Sequence, residues 1–292
     1  MSNLKPILGV IGGSGVYEID GLKNKQWKKV NSSFGEPSDE LLFGELNGHQ
    51  MVFLPRHGRG HVIPPSEVNY RANIDALKRS GVSEILSVSA VGSLREDLKP
   101  GMFVIVDQFI DRTIARKKSF FGQGIVAHVS MANPVCHRLG NHVESSAKDI
   151  GINVVRGGTY IAMEGPQFSS IAESELYRSW GCDVVGMTNM PEAKLAKEAE
   201  MCYVSVAMVT DYDCWHTEHD NVSVDAMIKV LMANAENAKS LVENASSVIV
   251  SDESSNQCDC KFSLENAIIT AADSRDQGLI KKLGAVAGRL LN

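Results

Sequence analysis

The sequence predicts a single α/β domain, and three observations carry that expectation. Short apolar runs rich in β-branched residues alternate with longer amphipathic stretches. At 292 residues and 43% hydrophobic, the chain can bury a large core while only modestly exceeding the size of a typical domain. Several of the apolar runs stop at glycines, hydroxyls or charged residues, as strands do at the ligand-binding edge of an open α/β sheet.

Taken in order, strands are expected over residues 7–11, 51–54, 85–88, 103–106, 160–163 and 201–210, where apolar residues run on without a charge. A helix is expected over 67–79, with Ser66 placed to cap its start and Gly81 to end it. A second is expected over 225–242, where Met227, Ile228, Leu231, Met232, Ala235, Ala238, Leu241 and Val242 recur at helical spacing and read as a core-packing stripe. Residues 251–261 read as a polar loop, followed by a C-terminal helical extension, all within one domain spanning 1–292. No internal repeat or low-complexity segment interrupts the pattern.

The formal net charge of -6 and pI near 5.8 argue against nonspecific nucleic-acid binding. The basic clusters at 23–29 and 112–118 read as solvated faces or loop features. The start of the chain lacks the pattern of a signal peptide, and no apolar run approaches the ~18 residues of a membrane span, so a cytoplasmic protein without a membrane partner is expected. Six scattered cysteines in a core-bearing domain favour reduced thiols over a disulfide framework.

The strand ends carry the chemistry. After 7–11 comes Gly12-Gly13-Ser14-Gly15, whose backbone amides can form an anion-binding nest. After 51–54 comes Arg56-His57-Gly58-Arg59-Gly60-His61, in which Arg56 is a two-pronged donor suited to phosphate. After 85–88 comes Ser89-Ala90-Val91-Gly92-Ser93. Glu164-Gly165-Pro166-Gln167-Phe168 and Met187-Thr188-Asn189 each precede a helix, offering Phe168 as a flat apolar face and Thr188 near a positive helix end. Each of these alone is more often an ordinary turn, and Phe168 alone is more often core. The run 201–210 ends in Asp211-Tyr212-Asp213. Continued as a strand, it would put both acids on one side, where they suit a purine with a 6-amino group: one carboxylate accepts from the amino group and one carboxylic acid donates to ring nitrogen 7. Taken alone, the pair reads more readily as loop acids capping the next element.

Together and in this order, Gly-Gly-Ser-Gly, Arg-His-Gly-Arg, Ser-Ala-Val-Gly-Ser-Leu-Arg, Glu-Gly-Pro-Gln-Phe-Ser-Ser, Met-Thr-Asn-Met-Pro-Glu and Thr-Asp-Tyr-Asp-Cys-Trp resemble the purine nucleoside phosphorylase family from about Ile7 to Val242. The resemblance implies a mixed central β-sheet flanked by helices, a homotrimer, and attack of inorganic phosphate on the ribose of methylthioadenosine to release adenine and 5-methylthioribose 1-phosphate. It further implies that Ser14, Arg56, His57, Ser89, Ala90 and Thr188 hold phosphate. Met187 would meet the ribose and Phe168 the base, with Asp211 as the proton donor at ring nitrogen 7 and Asp213 at the amino group. His61 and His128 would lie at the methylthioribose end, His128 reaching from a neighbouring subunit. Phosphate is then a co-substrate, and neither a cofactor nor a metal is expected.

Other readings remain open on sequence. A phosphorylase of 6-oxopurines, methylthioinosine included, is the nearest rival, and Asp213 speaks against it because an ionised acid repels a carbonyl. A nicotinamide-dependent oxidoreductase would rest on Gly12 to Gly15, which lack the closing glycine of that fingerprint. A non-catalytic binding protein would show no phosphate-dependent turnover. His57 and His61, four apart among glycines, do not align on a metal, and the loop histidines His216 and His219 are more often solvated than ligands. Cys258-Asp259-Cys260 is expected to be a thiol pair, since a disulfide there would close a small, strained ring. The resemblance leaves a stabilising or disulfide-exchange role for the pair open.

Overall fold

Runs of β-branched residues fold into eleven strands among the described residues of the computed structural model, which are 6–13, 15–216, 224–252, 254 and 258–291, with backbone alone at 224–227. The strands are β1 (Ile7–Gly12), β2 (Lys23–Lys28), β3 (Leu41–Leu46), β4 (His49–Pro55), β5 (Val82–Ser93), β6 (Phe103–Val106), β7 (Gln108–Asp111), β8 (Val154–Arg156), β9 (Thr159–Ala162), β10 (Val184–Gly186) and β11 (Cys202–Asp211). The helices are α1 (Tyr70–Arg79), α2 (His137–Asp149), α3 (Ile171–Ser179), α4 (Asn189–Glu198), α5 (Val224–Ser251), α6 (Gln277–Lys282) and α7 (Gly284–Leu291).

The strands form one mixed sheet in the order β2-β3-β4-β1-β5-β10-β9-β7, with β11 on β5, β6 on β11 and β8 on β6. Strand β5 makes this fork possible. Its first half pairs in parallel with β1, its end pairs antiparallel with β10, and β11 runs parallel along most of its length. Because β11 overlaps both partners, β1 and β10 must share the other edge of β5. The central strands are buried on both faces, which is why they read as continuous apolar runs. Along β11, Val204, Val206 and Met208 join one buried cluster with Leu8, Val10 and Leu86, while Tyr203, Ala207 and Val209 join another with Ile11, Leu54 and Ile85. Since β1, β4, β5 and β11 run parallel, their carboxyl ends open at one edge of the sheet.

The structure corrects several expected boundaries. Helix α1 starts at Tyr70 rather than 67, capped by Asn69, whose side chain accepts from the Ala72 amide at 3.1 Å. Ser66 instead donates to the carbonyl of Glu164 at 3.1 Å. Gly81 does close the helix, at a φ of 82°. Helix α5 runs on past 242 to Ser251, because Ala245, Ile249 and Val250 continue its buried stripe. Its early turns differ from expectation: Ile228 and Met232 are exposed, and packing on the sheet begins near Asn234, whose amide donates to the Val209 carbonyl at 2.9 Å. Strand β2 escaped the sequence reading because it is an exposed, lysine-rich edge held only by pairing with β3. Among the described residues no helix is long and apolar enough to cross a membrane.

Candidate active site

The carboxyl ends of the parallel strands, with the loops before α3 and α4 and one turn of α5, enclose a cavity of about 330 Å³. That lies at the low end of the volume range of small-molecule sites. Of the residues named from sequence, Arg56, His57, His61, Ser89, Ala90, Phe168, Met187, Thr188, Asp211 and Asp213 all line it. Ser14 and His219 lie outside the described residues, although Gly13 lines the wall. His128 does not line it: the residue is exposed and its amide donates to the Ala267 carbonyl at 2.9 Å.

One end of the cavity is built for an anion, though not as the sequence suggested. The two-pronged edge of Arg56 is occupied: Nε donates to Glu192 Oε2 at 2.8 Å and Nη2 to Glu192 Oε1 at 3.1 Å. Nη2 also donates to Ser87 Oγ at 2.7 Å and Nη1 to the Val88 carbonyl at 3.1 Å, which leaves a single Nη1 hydrogen. Burial works against the charge on Arg56, but Glu192 outweighs it and holds the guanidinium above its ordinary value. The same Glu192 Oε1 accepts from Ser87 Oγ at 2.6 Å and Tyr203 Oη at 2.8 Å, so Arg56 anchors a closed buried network. Next to it, His57 Nδ1 donates to the Ile63 carbonyl at 2.8 Å, and burial pulls its pKa down to about 4. The ring is therefore neutral, with Nε2 as a bare acceptor. It stacks on His61, with centroids 4.3 Å apart.

The clearest unmet demand at this end is Thr188. It stands just before α4, but the chain is extended at Met190 (φ -116°, ψ 131°), which breaks the first turn, and the Thr188 hydroxyl caps nothing. That Oγ1 is buried without any hydrogen-bond partner, and it is the cavity-lining side chain of which this holds among the described residues. A buried hydroxyl without a partner, facing a cavity, calls for a polar ligand atom such as an anion oxygen. Ser89 Oγ donates to Asn189 Oδ1 at 2.9 Å, so an anion would have to draw that proton away from Asn189.

The opposite demand is set by the two acids. The strand does not continue past Asp211, so alternation is not what brings them together. A register shift after Val209 sets Asp211 across from Gly92, and the chain then turns, with Asp213 at a φ of 53°. Asp211 Oδ1 accepts the Asp213 amide at 2.8 Å and so holds the turn. Asp213 is buried and Asp211 half-buried, and burial pushes both carboxyls above the ordinary aspartate value. Thr210 Oγ1 sits 3.1 Å from the Val91 carbonyl and 2.6 Å from Asp211 Oδ2. A hydroxyl has one proton, so a protonated Asp211 satisfies both contacts at once: Thr210 donates to the carbonyl and Asp211 donates to Thr210.

Between the two ends lie Met187 and, half-exposed at the rim, Phe168. Met187 requires Gly165, since a β-carbon there would come within 2.5 Å of its sulfur and the glycine holds a φ of 69°. The loops bearing these residues are tied together by Arg116, which the sequence reading left within a solvated basic cluster. Arg116 is buried, and Nη1 donates to the carbonyls of Met187 at 2.5 Å and Met190 at 2.7 Å, while Nη2 donates to Glu164 O at 2.8 Å. Its partners, these carbonyls together with Tyr70 and the Glu164 carboxylate, are distant in the chain and cannot be read from a run of basic residues. Leu231 and Ala235 of α5 also line the cavity, so that stripe is not purely core.

Away from the cavity, the structure gathers a group of thiols that residue order did not reveal. Cys136, Cys202, Cys258 and Cys260 bring their sulfurs within 4.8 Å of one another. Cys136 and Cys258 are 122 residues apart, a separation that hides the cluster from a search for short motifs.

Residues 7–247 match the model of the phosphorylase superfamily. The chain is 63% identical over 287 residues to the S-methyl-5'-thioadenosine phosphorylase of Rhodospirillum rubrum, covering 98% of each chain. It is 58% identical over 288 residues to that of Cereibacter sphaeroides, covering 99% of each. Among solved structures, a methylthioadenosine phosphorylase from an antarctic soil metagenomic library superposes with a TM-score of 0.91 at 46% identity, over 97% of this chain and 99% of that one. The methylthioadenosine phosphorylase of Schistosoma mansoni in complex with adenine gives 0.82 at 35% identity, over 93% and 99%.

Proposed function

Because this chain belongs to the phosphorylase superfamily, we propose that it phosphorolyses 5′-methylthioadenosine to adenine and 5-methylthioribose 1-phosphate, a step of nucleoside salvage. The observation that carries the reading is one cavity with two complementary demands: the orphaned Thr188 hydroxyl, and a buried pair of acids with raised pKa values, of which one can carry a proton while the other accepts. Phosphate, the co-substrate, is bound by Thr188, the Ser89 and Ala90 segment, the last Arg56 hydrogen and His57, together with Ser14. Since His57 is neutral with a free Nε2, it suits a phosphate oxygen that still bears its proton.

In the reaction the bond from the ribose to the purine breaks as phosphate oxygen bonds to the same carbon. The electron pair leaves with the purine, and the proton of Asp211 passes to ring nitrogen 7 to neutralise it. The phosphate anion stabilises the cationic ribose in between. Asp213 accepts from the 6-amino group, Phe168 lies against the base and Met187 against the ribose. His61 is at the methylthio end. His128 completes that end only from a neighbouring chain, which belongs with the homotrimer we also propose. Exposed Val62 and Ile114 are apolar surface that such an assembly would cover. The same reading includes a single domain over 1–292, a cytoplasmic location and no requirement for a catalytic metal or organic cofactor.

The test is turnover of methylthioadenosine, methylthioinosine, adenosine and inosine, each with and without phosphate. Methylthioadenosine should be cleaved only with phosphate, and its 6-oxo counterpart should be poorer by roughly 10⁴-fold in kcat/KM, because a site built around buried polar partners rejects the wrong group strongly. Equal efficiency on the two would overturn the role of Asp213 and move the substrate class to 6-oxopurines.

A further inference from the structure

We propose that Cys136, Cys202, Cys258 and Cys260 form a closed tetrathiolate site for one zinc ion, which fastens the C-terminal segment to the sheet. The four sulfurs lie within 4.8 Å of one another, and Cys136 and Cys258 are 3.5 Å apart. A tetrahedral zinc with bonds of about 2.3 Å places its sulfurs roughly 3.8 Å apart, so the cluster is already close to the required size. All four ligands come from the protein and three are buried, which is the pattern of a structural rather than a catalytic site.

The surroundings favour thiolates. Cys136 is the N-cap residue of α2, a 13-residue helix whose start stabilises negative charge. Arg138 Nη2 lies 3.7 Å from Cys202 Sγ and donates toward it, as outer-shell groups do at metal-bound sulfur. On binding, four zinc–sulfur bonds form and the thiol protons pass to solvent, with no change of oxidation state. The elements joined are distant in sequence: the start of α2, the first residue of β11, and the turn Asp259–Phe262 that leads to α6 and α7. The ten residues of β11 separate Cys202 from Asp211 by about 30 Å, so the ion stabilises without entering the reaction.

The experiment measures metal in the whole protein, purified under reducing conditions from zinc-supplemented medium. About one zinc per chain should survive gel filtration, and the apoprotein given cobalt(II) should show the strong near-ultraviolet absorption of thiolate-to-cobalt charge transfer. Cys258→Ser/Cys260→Ser should lose the bound zinc and the cobalt band. Its Tm should fall, with kcat/KM at ambient temperature within about twofold of the parent, as for sites that share no partners. If that variant does not fold, the zinc and cobalt measurements on the unaltered protein decide alone. A metal-free chain with four titratable thiols, an intact mass short by the hydrogens of two disulfides, or iron in place of zinc would each overturn the proposal.

Discussion

Asp211 is held by two contacts, each with a different consequence, and faces the cavity. Its Oδ1 fixes the following turn, its Oδ2 meets Thr210, and the carboxyl faces the cavity. Because burial raises its pKa and a neutral acid can satisfy the Thr210 contact, Asp211 is biased toward holding a transferable proton where the purine would depart. Asp211→Asn keeps the shape and can still cap the turn through its carbonyl oxygen, but it has no acidic proton. We expect kcat to fall by about 10²-fold or more with a smaller change in KM, read from steady-state kinetics with methylthioadenosine. An unchanged kcat with a raised KM would reduce Asp211 to recognition.

The meeting of β5 with β11 sets the spacing of the site. At Gly92 an added β-carbon would lie 3.0 Å from Asp211 Oδ1, 3.2 Å from Asp213 Cβ and 3.2 Å from Val185 Cγ1. The nearest atom is the end of the Asp211 carboxyl, which Thr210 and the Asp213 amide already hold, and Asp213 meets the added carbon at its own Cβ. Gly92→Ala should therefore push the acid turn outward by a few tenths of an ångström. We expect kcat/KM to drop roughly 10- to 100-fold, with a stability loss of about 1–3 kcal/mol in urea unfolding. Full activity in this variant would mean that the acids tolerate displacement and that preorganisation by β5 is unimportant. The same packing logic explains Gly165 beneath Met187, so two of the chain's glycines are read as spacers between functional side chains.

Across the whole molecule, the site is held at a cost that pH exposes. His57 is buried and neutral, with its pKa lowered from 6.5 to about 4 by burial and the neighbouring Arg56 charge. The unfolded chain takes up this proton near 6.5, while the folded chain resists until about 4. The stabilisation is thus fully present above pH 6.5 and is lost as the pH falls through that window. A full shift of that size corresponds to at most about 3 kcal/mol. His57→Asn, whose amide can still donate to the Ile63 carbonyl, should show a flatter decline of Tm between pH 6.5 and 4 than the parent. Parallel curves for the two proteins would show that His57 carries no such linkage.

Residue order alone carries the α/β class, the central strands and the succession of ligand-bearing segments that follow them. Those signals are local: an apolar run buried on both faces has a fixed composition, and a glycine or hydroxyl at its end is adjacent in the chain. It also named nearly every described side chain lining the polar parts of the cavity, from Arg56 to Asp213. Tertiary structure alone decided how those groups are used. Glu192 takes the fork of Arg56 from 136 residues away, a bulge and turn rather than strand alternation aim Asp213, and Arg116 leaves its basic cluster to bind carbonyls of two other loops. The four cysteines meet only because β11, α2 and the C-terminal turn pack together. Hydrogen-bond partners and ligand sets of this kind depend on through-space distance, which chain folding creates and residue order does not encode locally.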